Sequence, residues 1–152
     1  MLHIAICDDD GAAAQSIQSM VETCLKQCGC AGKIAVYTVA GNLLYDIVED
    51  RFFFDLLLLD IEMPGVSGMA IAEKIQPCLP HAKVIFITTP IEYAIDAFAL
   101  SIFRYVPKGE LQTRLPAALR DAFALLSLEE GRTYTIRTHS RLEKIPYKEI
   151  YF

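Results

Sequence analysis

The chain has 152 residues, 53% hydrophobic and 22% charged, which is enough to bury one domain's core and too apolar for a disordered segment. Its net charge of −5 is unevenly spread: residues 1–130 carry 9 Lys/Arg against 17 Asp/Glu, and residues 131–152 carry 5 against 2. So acidic a body is excluded as a nucleic-acid binder in its own right, and no apolar run reaches the roughly 20 residues of a membrane span.

The opening MLHIAICDDD has no basic stretch or cleavage signature, so no secretion signal is expected. Cysteines at 7, 24, 28, 30 and 78 are odd in number and scattered through apolar segments, which fits a reduced, cytoplasmic chain better than a disulfide framework.

In chain order, residues 2–7 form an apolar run ending in three aspartates, the pattern of a buried strand that hands over to polar chemistry. Over 12–28, Ile17, Met20, Val21, Cys24 and Cys28 recur at helical spacing on one buried face, and Gly29 and Gly32 mark the stop. A strand is predicted at 34–37, a short helix at 42–49, a fully apolar strand at 53–59 and a helix at 67–75 that ends before Pro77. The fourth strand spans 84–88, a helix follows over about 91–100, and the fifth strand spans 103–106. A long helix over 111–126, with Leu111, Leu115, Leu119, Ala122 and Leu126 at helical spacing, closes the pattern.

Strands this apolar must be covered on both faces, so residues 1–128 are expected to form an α/β domain with a doubly wound, five-stranded parallel sheet. Beyond Gly131 the pattern changes to TYTIRT, a His-Ser break and RLEKIPYKEIYF, which predicts a short C-terminal β-hairpin tail within a segment 129–152.

In an open parallel sheet, sites form beyond the carboxyl ends of the strands. Asp8 and Asp9 follow the first strand, Asp60 the third, Thr88 the fourth and Lys108 the fifth. Two carboxylates about 4 Å apart repel by roughly 4 kcal/mol at an effective dielectric near 20, so three together need protonation or a cation. Hard oxygen donors suit Mg²⁺ and phosphate-bearing substrates, with Asp60 the proposed nucleophile on phosphorus. Each residue alone has an ordinary reading. Asp10 is expected to be only a helix N-cap, Thr88 and Met63-Pro64-Gly65 can be turn residues, and Lys108 can be a solvated surface lysine.

The stretches IAICDDD, LLLLDIEMPGVSG, VIFITT and YVPK, in this order and at these intervals, resemble the four signature regions of the receiver domain of bacterial two-component response regulators. The resemblance implies a flavodoxin-like receiver fold over residues 1–128. It makes Asp60 the phosphoacceptor, with Asp8, Asp9 and the Glu62 backbone carbonyl positioning Mg²⁺ beside it. Thr88 and Lys108 would bind phosphoryl oxygens, and Tyr105 would be the aromatic switch that follows Thr88. A sensor histidine kinase would donate the phosphoryl group. Output would pass through the predicted fourth helix (91–100) and the fifth strand, with homodimerisation on phosphorylation. Such a domain catalyses its own transfer chemistry without being a turnover enzyme. The tail resembles the opening strands of a LytTR-type DNA-binding domain. On that reading the chain ends just inside it, and DNA is bound only through the missing C-terminal domain.

Departures from the family pattern keep two rivals open. Gly109 follows Lys108 where the family usually has proline, so the loop is expected to run differently, and a pseudo-receiver that accepts no phosphate stays possible. IAICDDDG also contains Asp-x-Asp-Gly, as in haloacid-dehalogenase-like phosphohydrolases, where Asp8 would be the nucleophile and Asp10 the acid–base. Pro90, two residues after Thr88, offers no side-chain hydrogen bond to an attacking water. A Pro90→Glu variant is therefore expected to lose its phosphoryl group faster than the wild type, as read from the decay of the phosphorylated mass.

Overall fold

Apolar residues at every position of LLLL, and at every position of LHIAIC except the half-buried His3, leave these segments almost no solvent face, and both become strands buried from either side. The computed structural model describes residues 1–63, 65, 67–88 and 102–140, at 88 and 130–140 for the backbone alone. In order these are β1 (Leu2–Cys7), α1 (Gly11–Cys28), β2 (Gly32–Tyr37), α2 (Ala40–Val48), β3 (Leu56–Leu59), α3 (Gly68–Ile75), β4 (Lys83–Thr88), β5 (Arg104–Pro107), a 3-10 turn (Lys108–Glu110) and α4 (Leu111–Ser140). The helix predicted over 91–100, and with it the greater part of the expected output surface, lies outside the described residues. The chain divides into two compact units, Met1–Ala122 and Phe123–Phe152.

The five strands pair in parallel in the order β2-β1-β3-β4-β5. The step from β1 to β2 runs one way along the sheet and every later step runs the other way. Right-handed crossovers therefore put α1 on one face and α2 and α3 on the opposite face. On the latter, Leu43 and Ile47 of α2 and Ile71, Ala72 and Ile75 of α3 pack with Ala5, Cys7, Leu57, Leu59 and Phe86 of the sheet. The alternate strand positions Ile4, Ile6, Leu56, Leu58, Ile85 and Ile87 are equally buried. They point to the face of α1, and the Cys24 thiol of α1 donates to the Pro116 carbonyl of α4 at 3.8 Å.

Local chemistry sets the ends of α1. Asp10 Oδ1 accepts from the N–H of Ala12 at 3.0 Å and of Ala13 at 3.4 Å, so Asp10 is an N-cap, in line with its ordinary reading. At the other end Gly29 takes a left-handed φ of 69°, and Cys30 N–H closes the helix on the Leu25 carbonyl at 2.9 Å. Cys28, the last residue of the helix, is exposed, unlike the buried Cys24 one turn earlier.

Two predicted elements differ from the structure. The third strand begins at Leu56 and not at residue 53, because Arg51 turns the chain at a φ of 61° and leaves Phe52 and Phe53 exposed. The expected C-terminal hairpin has no counterpart among the described residues. The backbone of 131–140 is helical as the end of α4, and residues 141–152 lie outside the description. Extending an existing helix fixes one residue per hydrogen bond gained, and this segment has no proline to stop it, whereas a hairpin must first close a loop.

Arg51 is the one non-glycine residue with positive φ among the described residues, a conformation that costs a side-chain-bearing residue about 1–2 kcal/mol. Arg51→Gly should relieve most of this and lose part of the gain to unfolded-chain entropy. A net stabilisation of about 0.5–1 kcal/mol is expected, read as a higher urea midpoint at unchanged slope.

Candidate functional site

Strand register builds the site. Cys7 pairs with Leu59, so the residues that follow them, Asp8 and Asp60, leave neighbouring strands side by side, with Asp60 N–H donating to the Cys7 carbonyl at 3.0 Å. This is the point where the strand order reverses, and the crevice above it is where an open α/β sheet takes a ligand. Thr88 ends β4 and pairs with Pro107 of β5, which brings the next residue, Lys108, to the same rim.

Asp8 and Asp60 are the buried charged residues of the described chain, 1% and 4% exposed. Asp60 Oδ1 accepts from Glu62 N–H at 3.2 Å, and its Oδ2 accepts from Lys108 Nζ at 3.1 Å. Asp8 Oδ1 accepts from Asp10 N–H at 2.9 Å; its Oδ2 has no hydrogen-bond partner and lies 3.4 Å from Lys108 Nζ. Exposed Asp9 completes a group of three carboxylates whose oxygens lie within 4.8 Å of one another. The floor beneath is sulfur: the Cys7 thiol donates to Met63 Sδ at 3.7 Å.

The electrostatics follow from burial. Desolvation lifts the Asp60 carboxyl above its ordinary value; the hydrogen bond from Lys108 opposes this and the charge of Asp8 reinforces it. For Lys108, desolvation pulls the ammonium down, but the hydrogen bond and charge of Asp60 and the charge of Asp8 outweigh it and the pKa is raised. The Cys7 thiol is pushed up to about 12, first by burial and then by the charges of Asp8, Asp60 and Asp9, which leaves it protonated and unreactive.

Asp8, Asp9, Asp60 and Lys108 are thus brought together. Glu62 is exposed and reaches the cluster through its backbone. Thr88 is described by its backbone only. Tyr105 sits on β5 opposite Phe86 and packs, half-buried, against the core face of α2 and α3. Pro90 lies outside the described residues. Two groups at the site escaped sequence reasoning, the sulfur floor of Cys7 and Met63 and the contact of Gly68 with the Asp60 backbone. Met63 stood in a motif already read as a turn, and Gly68 closes the LLLLDIEMPGVSG stretch, where a glycine at a helix start does not announce the contact it makes.

With this geometry in hand, comparison with known proteins defines the class. Residues 4–120 match the response regulator receiver domain, and the chain belongs to that family of phosphorylation-activated switches. It is similar to the transcriptional regulatory protein NatR of Bacillus subtilis, 36% identical over 101 residues that cover 64% of this chain and 42% of NatR. Among solved structures, a response regulator receiver domain protein from Clostridium thermocellum is 25% identical with a TM-score of 0.70, over 84% of this chain and 98% of that one. TrrA of Thermotoga maritima, solved in complex with Mg²⁺-BeF, shares the fold at 24% identity and a TM-score of 0.67, over 80% of this chain and 99% of its own. The chain spans about half the length of the curated relatives it matches.

Because folding raises the Asp60 pKa, the stability tied to its proton is fully present below the unfolded carboxylate range and is lost as pH rises through the folded value. Asp60→Asn is therefore expected to raise the urea midpoint of the chelator-treated protein at pH 7, with the gain shrinking as pH falls towards about 4. An unchanged or lower midpoint would mean that the ion pair with Lys108 outweighs burial.

Proposed function

We propose that Asp60 is the phosphoacceptor of this receiver domain. The observation that carries the reading is a buried carboxylate at a strand tip with an ammonium at 3.1 Å and a second buried carboxylate alongside. A carboxylate oxygen of Asp60 attacks phosphorus; an O–P bond forms while the bond to the donor's leaving group breaks, and the leaving group keeps the electron pair. Lys108 then turns from a carboxylate partner into a partner for the phosphoryl oxygens, a role shared in this reading by Thr88. The phosphoryl group carries about −1.5 to −2 charges in place of the carboxylate's single charge, which gives Lys108 and Thr88 a partner present only in the modified state. That differential contact biases the equilibrium between two conformations, with Tyr105 on β5 following Thr88.

The residues suit Mg²⁺. Asp8 Oδ2 is a buried oxygen without a hydrogen-bond partner, and three hard oxygen donors converge within 4.8 Å. Asp8, Asp9, Asp60 and the Glu62 carbonyl would hold the ion, which when bound supplies charge neutralisation for the phosphoryl oxygens. The donor in this reading is a sensor histidine kinase in the cytoplasm. The output is transcriptional, as the names of relatives such as NatR suggest, and passes through the 91–100 region and β5 to a DNA-binding domain of LytTR type, with a homodimer as the active form. The chain catalyses its own phosphorylation and dephosphorylation and turns over no other substrate.

Intact mass after acetyl phosphate treatment tests this directly. One phosphoryl group should be gained in the presence of Mg²⁺, and none with chelator or in Asp60→Ala. Gain that survives Asp60→Ala and vanishes in Asp8→Ala would favour the phosphohydrolase reading, although Asp10, its acid–base, is engaged as a helix cap. No gain under any condition would indicate a pseudo-receiver.

A further inference from the structure

The loop that follows Asp60 must do two things: hold the Asp60 carboxyl in place and present the Glu62 carbonyl. A close backbone approach is made here by the first residue of α3. Gly68 N–H donates to the Ile61 carbonyl at 2.7 Å, and Ser67 caps the helix by accepting from Ala70 N–H at 3.2 Å. A Cβ on Gly68 would overlap the Asp60 carbonyl oxygen and stand 3.0 Å from both the Asp60 carbonyl carbon and Ile61 Cα. All three neighbours are backbone atoms, so no side chain can swing away to make room. Gly41 and Gly109, by contrast, have nothing within 4 Å of an added Cβ. Gly68 shows no positive φ, so its backbone conformation does not demand glycine; the demand comes from contact.

We infer that Gly68 is a positioning residue: its missing side chain lets the start of α3 lie flat on the Asp60–Ile61 peptide and so fixes the loop that offers the Asp60 carboxyl and the Glu62 carbonyl to a divalent cation and a phosphoryl group. Any side chain at 68 pushes the helix off that peptide or twists the peptide. Either movement changes the spacing of Asp60 and Glu62 relative to Asp8, which is held on a different strand. A misplacement of about 1 Å at a reacting group can cost about 100-fold in rate, and loss of a residue supporting a metal ligand costs about 10–100-fold in affinity. The inference rests on the reading of Asp60 as phosphoacceptor and adds to it the element that sets its geometry.

Gly68→Ala should raise the Kd for Mg²⁺, measured by calorimetry on the unphosphorylated protein, about tenfold or more, and slow phosphoryl gain from acetyl phosphate by at least as much. Ser67→Ala weakens the same helix start without adding an atom against Asp60, and should lower the melting temperature while leaving the Kd for Mg²⁺ unchanged. Equal Kd values in wild type and Gly68→Ala would overturn the inference, as would an equal loss of affinity in Ser67→Ala. If Gly68→Ala does not fold, the wild type suffices: Mg²⁺ titration should shift the amide resonance of Gly68 together with those of 60–62, and a stationary Gly68 amide beside moving neighbours would overturn it. Failure of the underlying reading looks different, because the wild type itself would then gain no phosphoryl group.

Discussion

The rest of the site depends on one register: Cys7 opposite Leu59 in a parallel pair. A slip of one residue would turn every side chain of β3 to the other face and carry Asp60 away from Asp8. The register is held by the aliphatic face of each strand and by contacts at both ends of β3. At its start Asp55 Oδ2 accepts from His3 N–H at 2.8 Å, and past its end Asp60 N–H donates to the Cys7 carbonyl at 3.0 Å. Two aspartates therefore bracket the same four leucines and do different work. The one at the amino end pins the strand to its neighbour, and the one at the carboxyl end faces the crevice where the strand order reverses.

Juxtaposing two buried carboxylates works against folding, and the protein offsets it only in part. Lys108 stands 3.1 Å from one and 3.4 Å from the other, yet the Asp60 carboxyl stays above its ordinary pKa because burial outweighs the single ammonium. The structure thus carries an electrostatic deficit at the place where added positive charge would relieve it. A site of this kind is stable enough to persist and unfavourable enough to respond.

Much of this was legible in the sequence because it rests on periodicity and chain order. Apolar runs in 2–7, interrupted only by His3, and in 56–59 identify buried strands, and the alternation with helices determines the sheet type. Acids placed just after such runs must share a rim. What was not legible depends on local backbone conformation or on contact between distant residues. Phe52 and Phe53 look like strand and are exposed, because Arg51 adopts a left-handed turn that arginine does not announce. Cys28 has the spacing of a buried face yet emerges at the helix end. TYTIRT has the alternation of a strand, but the helix before it continues into it. The place of Lys108 followed from its position after the fifth strand, while Gly109 beside it suggested a rearranged loop; the 3-10 turn at Lys108–Glu110 carries the ammonium to both carboxylates.

The thioether and thiol beneath the acids have a consequence of another kind. Cys7 is 1% exposed, held protonated by burial and by three carboxylates, and covered by Met63 from the loop that bears Asp60. An alkylating reagent can reach it only through local opening of the fold, whereas Cys28 and Cys78 stand open to solvent. The chain therefore contains its own clock for the breathing of the fold beneath the acidic rim: two surface thiols that set zero time, and one buried thiol whose slow modification counts how often the fold opens there.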